Sequence, residues 1–212
     1  DVYSMLSKNQ IVQIKIINVS SDGNGIGKFN GFTVFVPYTA VGDLINAKIV
    51  KLKTNYAYAI IDSFIEYSPD RIPIDCPFFT KCGGCDFRHI SYDAELQIKQ
   101  NIVQDAFSRI GKFTAPIQPI LPCTQVNHYR NKAQYPVAEI NGQAVCGFYS
   151  KRSHRIIPVS NCLLQPPEFK DIISLILNYV NSSNISPYNE FTRKGDLRHI
   201  YLRKGAYSNQ IM

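Results

Sequence analysis

The sequence has no tryptophan, only two methionines, and no apolar run near the roughly 18 residues that a membrane-crossing helix needs. Its longest candidate, residues 172–180, is interrupted by Ser174, Asn178 and Tyr179, so no membrane partner is expected. Charge is sparse: 18% of residues are Asp, Glu, Lys or Arg, against about 25% in ordinary soluble domains. Acids are the scarcer sign, 16 against 23 bases, which leaves a net charge of +7 and favours an anionic partner. The chain opens at Asp1, with its first methionine at position 5, which points to a trimmed start. No basic segment followed by an apolar stretch and a cleavage site precedes the first motif, so a cytoplasmic location is expected. In that compartment six cysteines read as thiols or metal ligands instead of disulfides. What is abundant is apolar and aromatic: 45% hydrophobic residues, 13 tyrosines and 12 phenylalanines, which excludes disorder as the main reading.

The fold class expected is mainly β with an α+β part. Short strand-like runs at 12–19, 33–36, 44–52 and 56–65, separated by Gly-rich turns, predict a small antiparallel barrel of the oligonucleotide-binding type. Gly23-Asn-Gly25-Ile-Gly27 is read as a turn of that barrel and not as a nucleotide loop, since no long helix follows it. Pro69 and Pro73 mark a linker. A helix is predicted over 93–110, its apolar face built from Leu96, Ile102, Val103, Ala106, Phe107 and Ile110, stopping at Gly111. Strand-like runs at 129–140 and 144–159 flank Asn141-Gly142, the strongest short hairpin signal. A second helix is predicted over 167–181 and another strand over 197–204. Ile211-Met212 reads as the beginning of a further strand, so the chain is expected to be cut mid-domain.

Cys76, Cys82 and Cys85 form C-x5-C-x2-C, with Gly83-Gly84 between the last two, and Cys162 follows 77 residues after Cys85. The x2 spacing lets two sulfurs face one metal, and paired glycines let backbone N–H groups approach sulfur. Structural zinc sites favour two close pairs, so this three-plus-one set favours an iron–sulfur cluster while leaving zinc open. A radical enzyme using S-adenosylmethionine is disfavoured by the x5 spacing and by a fourth cysteine. Cys123 and Cys146 have no partner at metal spacing and are expected to be packed thiols.

The segments Cys76–Ile90 (CPFFTKCGGCDFRHI), Tyr129–Gln134 (YRNKAQ), Gly147–His154 (GFYSKRSH) and Cys162–Gln165 (CLLQ), together with the barrel, resemble TRAM-bearing 23S ribosomal RNA uracil-C5 methyltransferases. The resemblance covers nearly the whole chain. It implies a TRAM barrel over 1–67, a linker and cluster loop over 68–92, a helix over 93–112 that packs with a catalytic domain, and a truncated central RNA-recognition domain over 113–212. It also implies a 4Fe-4S cluster on Cys76, Cys82, Cys85 and Cys162. S-adenosylmethionine would bind only in the full-length protein, and no catalytic residue is assigned within these 212 residues. Short of its normal cover, the helix Asp93 to Ile110 would invite self-association.

Between His128 and Arg155, five bases face one acid, Glu139, with Tyr129, Tyr135, Phe148 and Tyr149 interleaved. Cations suit phosphates and aromatic planes suit unstacked bases, so single-stranded or loop RNA, ribosomal by the resemblance, is the partner expected. Arg130, Lys132, Phe148, Lys151, Arg152, His154, Arg155 and, in the barrel, Lys28 are the candidate contacts. The reading adopted is the RNA-recognition and iron–sulfur portion of an S-adenosylmethionine-dependent uracil-C5 methyltransferase. Its alternative is a stand-alone RNA-binding iron–sulfur or zinc module without catalysis. An electron-transfer protein is disfavoured, because basic surfaces are not required for that role.

Overall fold

The computed structural model describes residues 6–212, so the first five residues of the barrel segment expected over 1–67 lie outside the described residues. Two compact units are present, one running up to Asp75 and resuming over Asp86–Pro122, the other made of Cys76–Cys85 and Cys123–Met212.

In the first unit, β1 (Ile11–Val19), β2 (Asn24–Phe29), β3 (Phe32–Pro37), β4 (Leu44–Leu52) and β5 (Tyr56–Glu66) close into a barrel in the order β1-β2-β3-β5-β4. The β3–β5 pair is parallel and the other four are antiparallel. Alternation does the sorting: Val12, Ile14 and Ile16 of β1 point inward with Val34, Val36, Ile45, Ala47, Ile49, Ala57 and Ala59. The Gly23–Gly27 stretch corrects the sequence reading. Only Gly23, at φ +79°, lies in the turn, whereas Gly25 and Gly27 belong to β2. A Cβ at Gly25 would collide with Thr39 and one at Gly27 with Ile14, so glycine is needed there for close approach inside a strand.

Asp43, just ahead of β4, has a wholly buried side chain that accepts four hydrogen bonds: from Ala40 N (2.6 Å), Ser68 N (2.9 Å), Arg71 Nε (2.8 Å) and Arg71 Nη2 (2.7 Å). The Arg71 guanidinium also donates to Tyr38 O at 2.9 Å and lies 4.4 Å from the Phe64 ring centroid. This one pair ties the β3–β4 connection to the segment that follows β5. Helix α1 (Tyr92–Asp105) is capped by Ser91, whose side chain accepts from Ala94 N, and continues as a π turn over Ala106–Ile110. Its buried residue is Ile98, packed with Val19, Ala40 and Ile90, while Val103, Phe107 and Ile110 of the predicted apolar face are exposed.

The second unit is a four-stranded sheet ordered β8-β7-β6-β9, from β6 (Lys132–Ile140), β7 (Gln143–Tyr149), β8 (Ile156–Pro158) and β9 (His199–Arg203), with every pair antiparallel. Asn141 and Gly142, both at positive φ (54° and 77°), make the tight turn expected between β6 and β7. The single strand expected over 144–159 is two strands, parted by a turn in which Arg152 takes φ 54°. Helix α2 (Glu168–Ser182) lays Phe169, Ile173 and Val180 on one face of the sheet, against Ala133, Tyr135, Val137, Ile200 and Leu202. Among the described residues, no helix is long and apolar enough to cross a membrane.

Candidate nucleic-acid interface and cysteine site

Cys76–Cys85 belongs to the second unit although the residues on either side of it belong to the first. That excursion brings Cys76 and Cys82 into the same electrostatic neighbourhood as Cys162. The loop is held by Gly83 N, which donates to Tyr149 O at 2.9 Å; a Cβ at Gly83 would lie 2.9 Å from that oxygen and 3.1 Å from Lys151 N. Gly84 N points at Cys82 Sγ at 3.4 Å, the close N–H approach that the paired glycines predict. Burial raises the Cys82 and Cys162 thiols above the ordinary thiol range, the Cys76 neighbour adds to this in both, and backbone N–H groups with the Arg130 guanidinium oppose it. Cys85 is half-buried in the same loop. Among the described residues no group of three or more His, Cys, Asp or Glu side chains is arranged to hold a metal ion.

Cys146 is the packed thiol expected: it lies in the core of the second unit, and burial pushes it up to about 11. Cys123 corrects the reading, because it is exposed, its Sγ 3.1 Å from Gln125 O.

The candidate RNA contacts divide. Lys132 projects from the face of the sheet opposite α2, its Nζ 5.2 Å from the Tyr201 ring centroid, and its register partner on β9 is Arg203. Lys151, Arg152, His154 and Arg155 are exposed on the β7–β8 turn. His154 Nδ1 is 3.0 Å from Glu190 Oε2, and its ring lies 5.2 Å from that of Tyr149. Arg130 is exposed, and its guanidinium opposes the larger effect of burial on the Cys82 and Cys162 thiols. Phe148 is half-buried, packed against the core with its ring 5.1 Å from that of Tyr135.

The sequence reading placed Lys28 on the barrel but missed the aromatic residues that lie beside it. Register aligns Ile26, Phe35, Tyr58 and Lys51 in one row across β2, β3, β5 and β4, and Lys28, Thr33 and Tyr56 in the next. These residues point away from the barrel core, and Lys28 and Lys51 are exposed. The rings of Phe35, Tyr56 and Tyr58 touch one another at centroid distances of 5.6, 5.7 and 5.6 Å. Three aromatic planes thus lie between two lysines, with no acid in either row.

Residues 7–61, which include this surface, match the TRAM domain family. An uncharacterized RNA methyltransferase of Halalkalibacterium halodurans is 40% identical over 208 residues, a match covering 98% of this chain and 45% of the relative. The chain carries a TRAM domain and is homologous to proteins named RNA methyltransferases. A second such relative, from Listeria monocytogenes, is 38% identical over 209 residues, covering 99% of this chain and 46% of the relative. The chain therefore spans a little under half the length of the curated relatives it matches. The crystal structure of Pyrococcus abyssi tRNA (uracil-54, C5)-methyltransferase in complex with S-adenosyl-L-homocysteine superimposes with a TM-score of 0.65 at 21% identity, over 93% of this chain and 44% of that one. That similarity shows a shared fold.

Proposed function

We propose that this chain is the RNA-recognition portion of an S-adenosylmethionine-dependent RNA uracil-C5 methyltransferase acting on 23S ribosomal RNA. Methyl transfer itself is assigned to the part of such proteins that the match does not cover. The observation that carries the reading is the aromatic and lysine face of the TRAM domain, where Phe35, Tyr56 and Tyr58 supply stacking planes and Lys28 and Lys51 supply cations for phosphates. Lys132, Tyr201 and Arg203 give the second unit a smaller surface of the same chemistry. Unstacked bases need planes and a flexible backbone needs distributed charge, so a single-stranded or loop segment fits better than a duplex.

Cys76, Cys82, Cys85 and Cys162 would hold a 4Fe-4S cluster. Such a cluster would supply a four-bond cross-link between the cysteine loop and the segment after β8, which stabilises a unit of this small size. Gly83 and Gly84 support this reading, since each allows backbone to approach closely, the first to the β7–β8 turn and the second to sulfur.

Binding of a fluorescent single-stranded RNA separates this reading from a purely structural barrel. Tyr58→Ala weakens binding by roughly 1 kcal/mol or more, the usual worth of one base–aromatic stack. An affinity equal to that of the unaltered chain removes the barrel face from the RNA path. Anaerobically purified protein should contain iron and sulfide in equal amounts, and stoichiometric zinc without iron would rule the cluster out.

A further inference from the structure

The face of the second unit's sheet opposite α2 carries a cavity of about 650 Å³, within the range of small-ligand pockets. Its floor is apolar, from Pro136 and Ala138 of β6 and Ile156 of β8. One wall is the pair Tyr149 and His154, whose rings lie 5.2 Å apart and tilted by 31°. The opposite wall is Tyr188 and Phe191, from the segment between α2 and β9. Phe191 is 99% exposed, a large apolar ring held in water with no core to join.

The second wall is built by its own hydrogen bonds. Asn189 Oδ1 accepts from Phe191 N at 2.9 Å and Thr192 N at 3.0 Å, while Asn189 N donates to Lys194 O and Arg193 N donates back to Asn189 O, both at 2.8 Å. Gly195 takes φ +122°, and a Cβ there would collide with Pro187 and Tyr188, so that only glycine permits this closure. Glu190 spans the cavity to His154 at 3.0 Å and meets Arg198 at 3.5 Å, and the Arg198 guanidinium lies 5.1 Å from the Tyr188 ring centroid.

The charges decide what this cavity takes. The lining holds two carboxylates, Glu139 and Glu190, and two guanidiniums, Arg155 and Arg198, so the interior carries little net charge. A phosphate gains little in such a space, whereas a flat, neutral, hydrogen-bonding ring gains two aromatic walls and a polar edge. Arg155, exposed at the rim beside Lys151 and Arg152, stands where a backbone phosphate would leave the cavity.

We infer that this cavity is a base pocket: it receives one unstacked nucleobase of the bound single-stranded RNA, between the Tyr149–His154 wall and the Tyr188–Phe191 wall. The inference rests on the RNA reading above but is carried by different residues from those of the TRAM face. The pocket is assigned the reading of position along the strand and no chemistry, since its Glu190 carboxylate is held by His154 and Arg198.

The experiment uses the whole chain and an oligouridylate carrying one 5-fluorouridine, followed by fluorine NMR and by anisotropy. With the unaltered protein, the fluorine resonance shifts on binding, as expected for a ring between aromatic planes. Phe191→Ala, at a fully exposed position that leaves the core intact, and Tyr188→Ala each abolish the shift and weaken binding roughly tenfold, the scale of one lost stack. RNA binding with a shift that survives both substitutions overturns the pocket and leaves the RNA reading standing. Absence of any RNA binding by the unaltered chain overturns both together.

Discussion

Replacing Asp43 by alanine should be among the most damaging single changes in the TRAM domain. Its carboxylate is wholly buried and accepts four hydrogen bonds, two of them from Arg71, whose own side chain is only 16% exposed. Asp43→Ala leaves the guanidinium with Tyr38 O and the Phe64 ring, and leaves the Ala40 and Ser68 N–H groups without their acceptor. Breaking one side of a buried ion pair costs about 3–5 kcal/mol, a large share of the roughly 5–15 kcal/mol that holds a domain together. For a unit of this size that corresponds to a drop in Tm of roughly 15–25 °C, read by far-UV circular dichroism. Asp43→Asn, which keeps an acceptor of the same shape, should fall between the two. The pH dependence has a definite sign. Burial pushes the Asp43 carboxyl up, but the hydrogen bonds from Arg71, Ala40 and Ser68 outweigh it and hold the group below its ordinary 3.8. The stability it contributes is therefore complete above that value and is lost as pH falls through it toward the lower folded value. The alanine variant should show a flatter acid limb. An Asp43→Ala protein within about 1 kcal/mol of the unaltered chain, with an unchanged acid limb, refutes the reasoning.

Three further outcomes are expected. Gly147→Ala should destabilise the second unit by more than about 1 kcal/mol, because the added Cβ would strike the Ile157 backbone and part β7 from β8; a neutral effect in urea unfolding would show that the sheet yields there. Cys162→Ser should lose iron under anaerobic purification, and full retention would remove that residue from the ligand set. Calorimetry with S-adenosylmethionine should give no heat with these 212 residues, since the second sheet is wholly antiparallel and offers no strand–loop–helix crossover at which such a cofactor docks. Measurable methyl transfer that disappears in Cys123→Ala would overturn that assignment.

The barrel strands β1, β3, β4 and β5 and helix α2 were legible because each has one dry face, and a period of 2 or 3.6 in the apolar residues follows from that. Strand β2 was hidden because its glycines serve close packing against Thr39 and Ile14, while in a bare sequence they look like turn residues. The C-terminal half of the predicted helix face failed for a different reason: periodicity marks a face that can be buried, and Val103, Phe107 and Ile110 are exposed. The cysteine spacing drew attention to the loop Cys76–Cys85, yet among the described residues no group of three or more His, Cys, Asp or Glu side chains is arranged to hold a metal ion. The aromatic face of the TRAM domain was not legible, since Phe35, Tyr56 and Tyr58 meet only through the parallel β3–β5 pairing, and a parallel pair joins residues far apart in the chain. Glu190 and Tyr188 stayed invisible likewise, lying more than 30 residues from His154 with no motif around them.

RNA recognition by the TRAM face is tested most directly by the salt dependence of single-stranded RNA binding, measured by anisotropy for the unaltered chain and for a Lys28→Ala, Lys51→Ala double variant. Each phosphate neutralised on a single strand contributes a slope of roughly 0.7 in log affinity against log salt, so the double variant should bind more weakly with a slope smaller by about 1.4. A duplex of the same sequence should bind less tightly than the single strand at every salt concentration. Equal slopes for the two proteins, or a preference for duplex, would contradict the account.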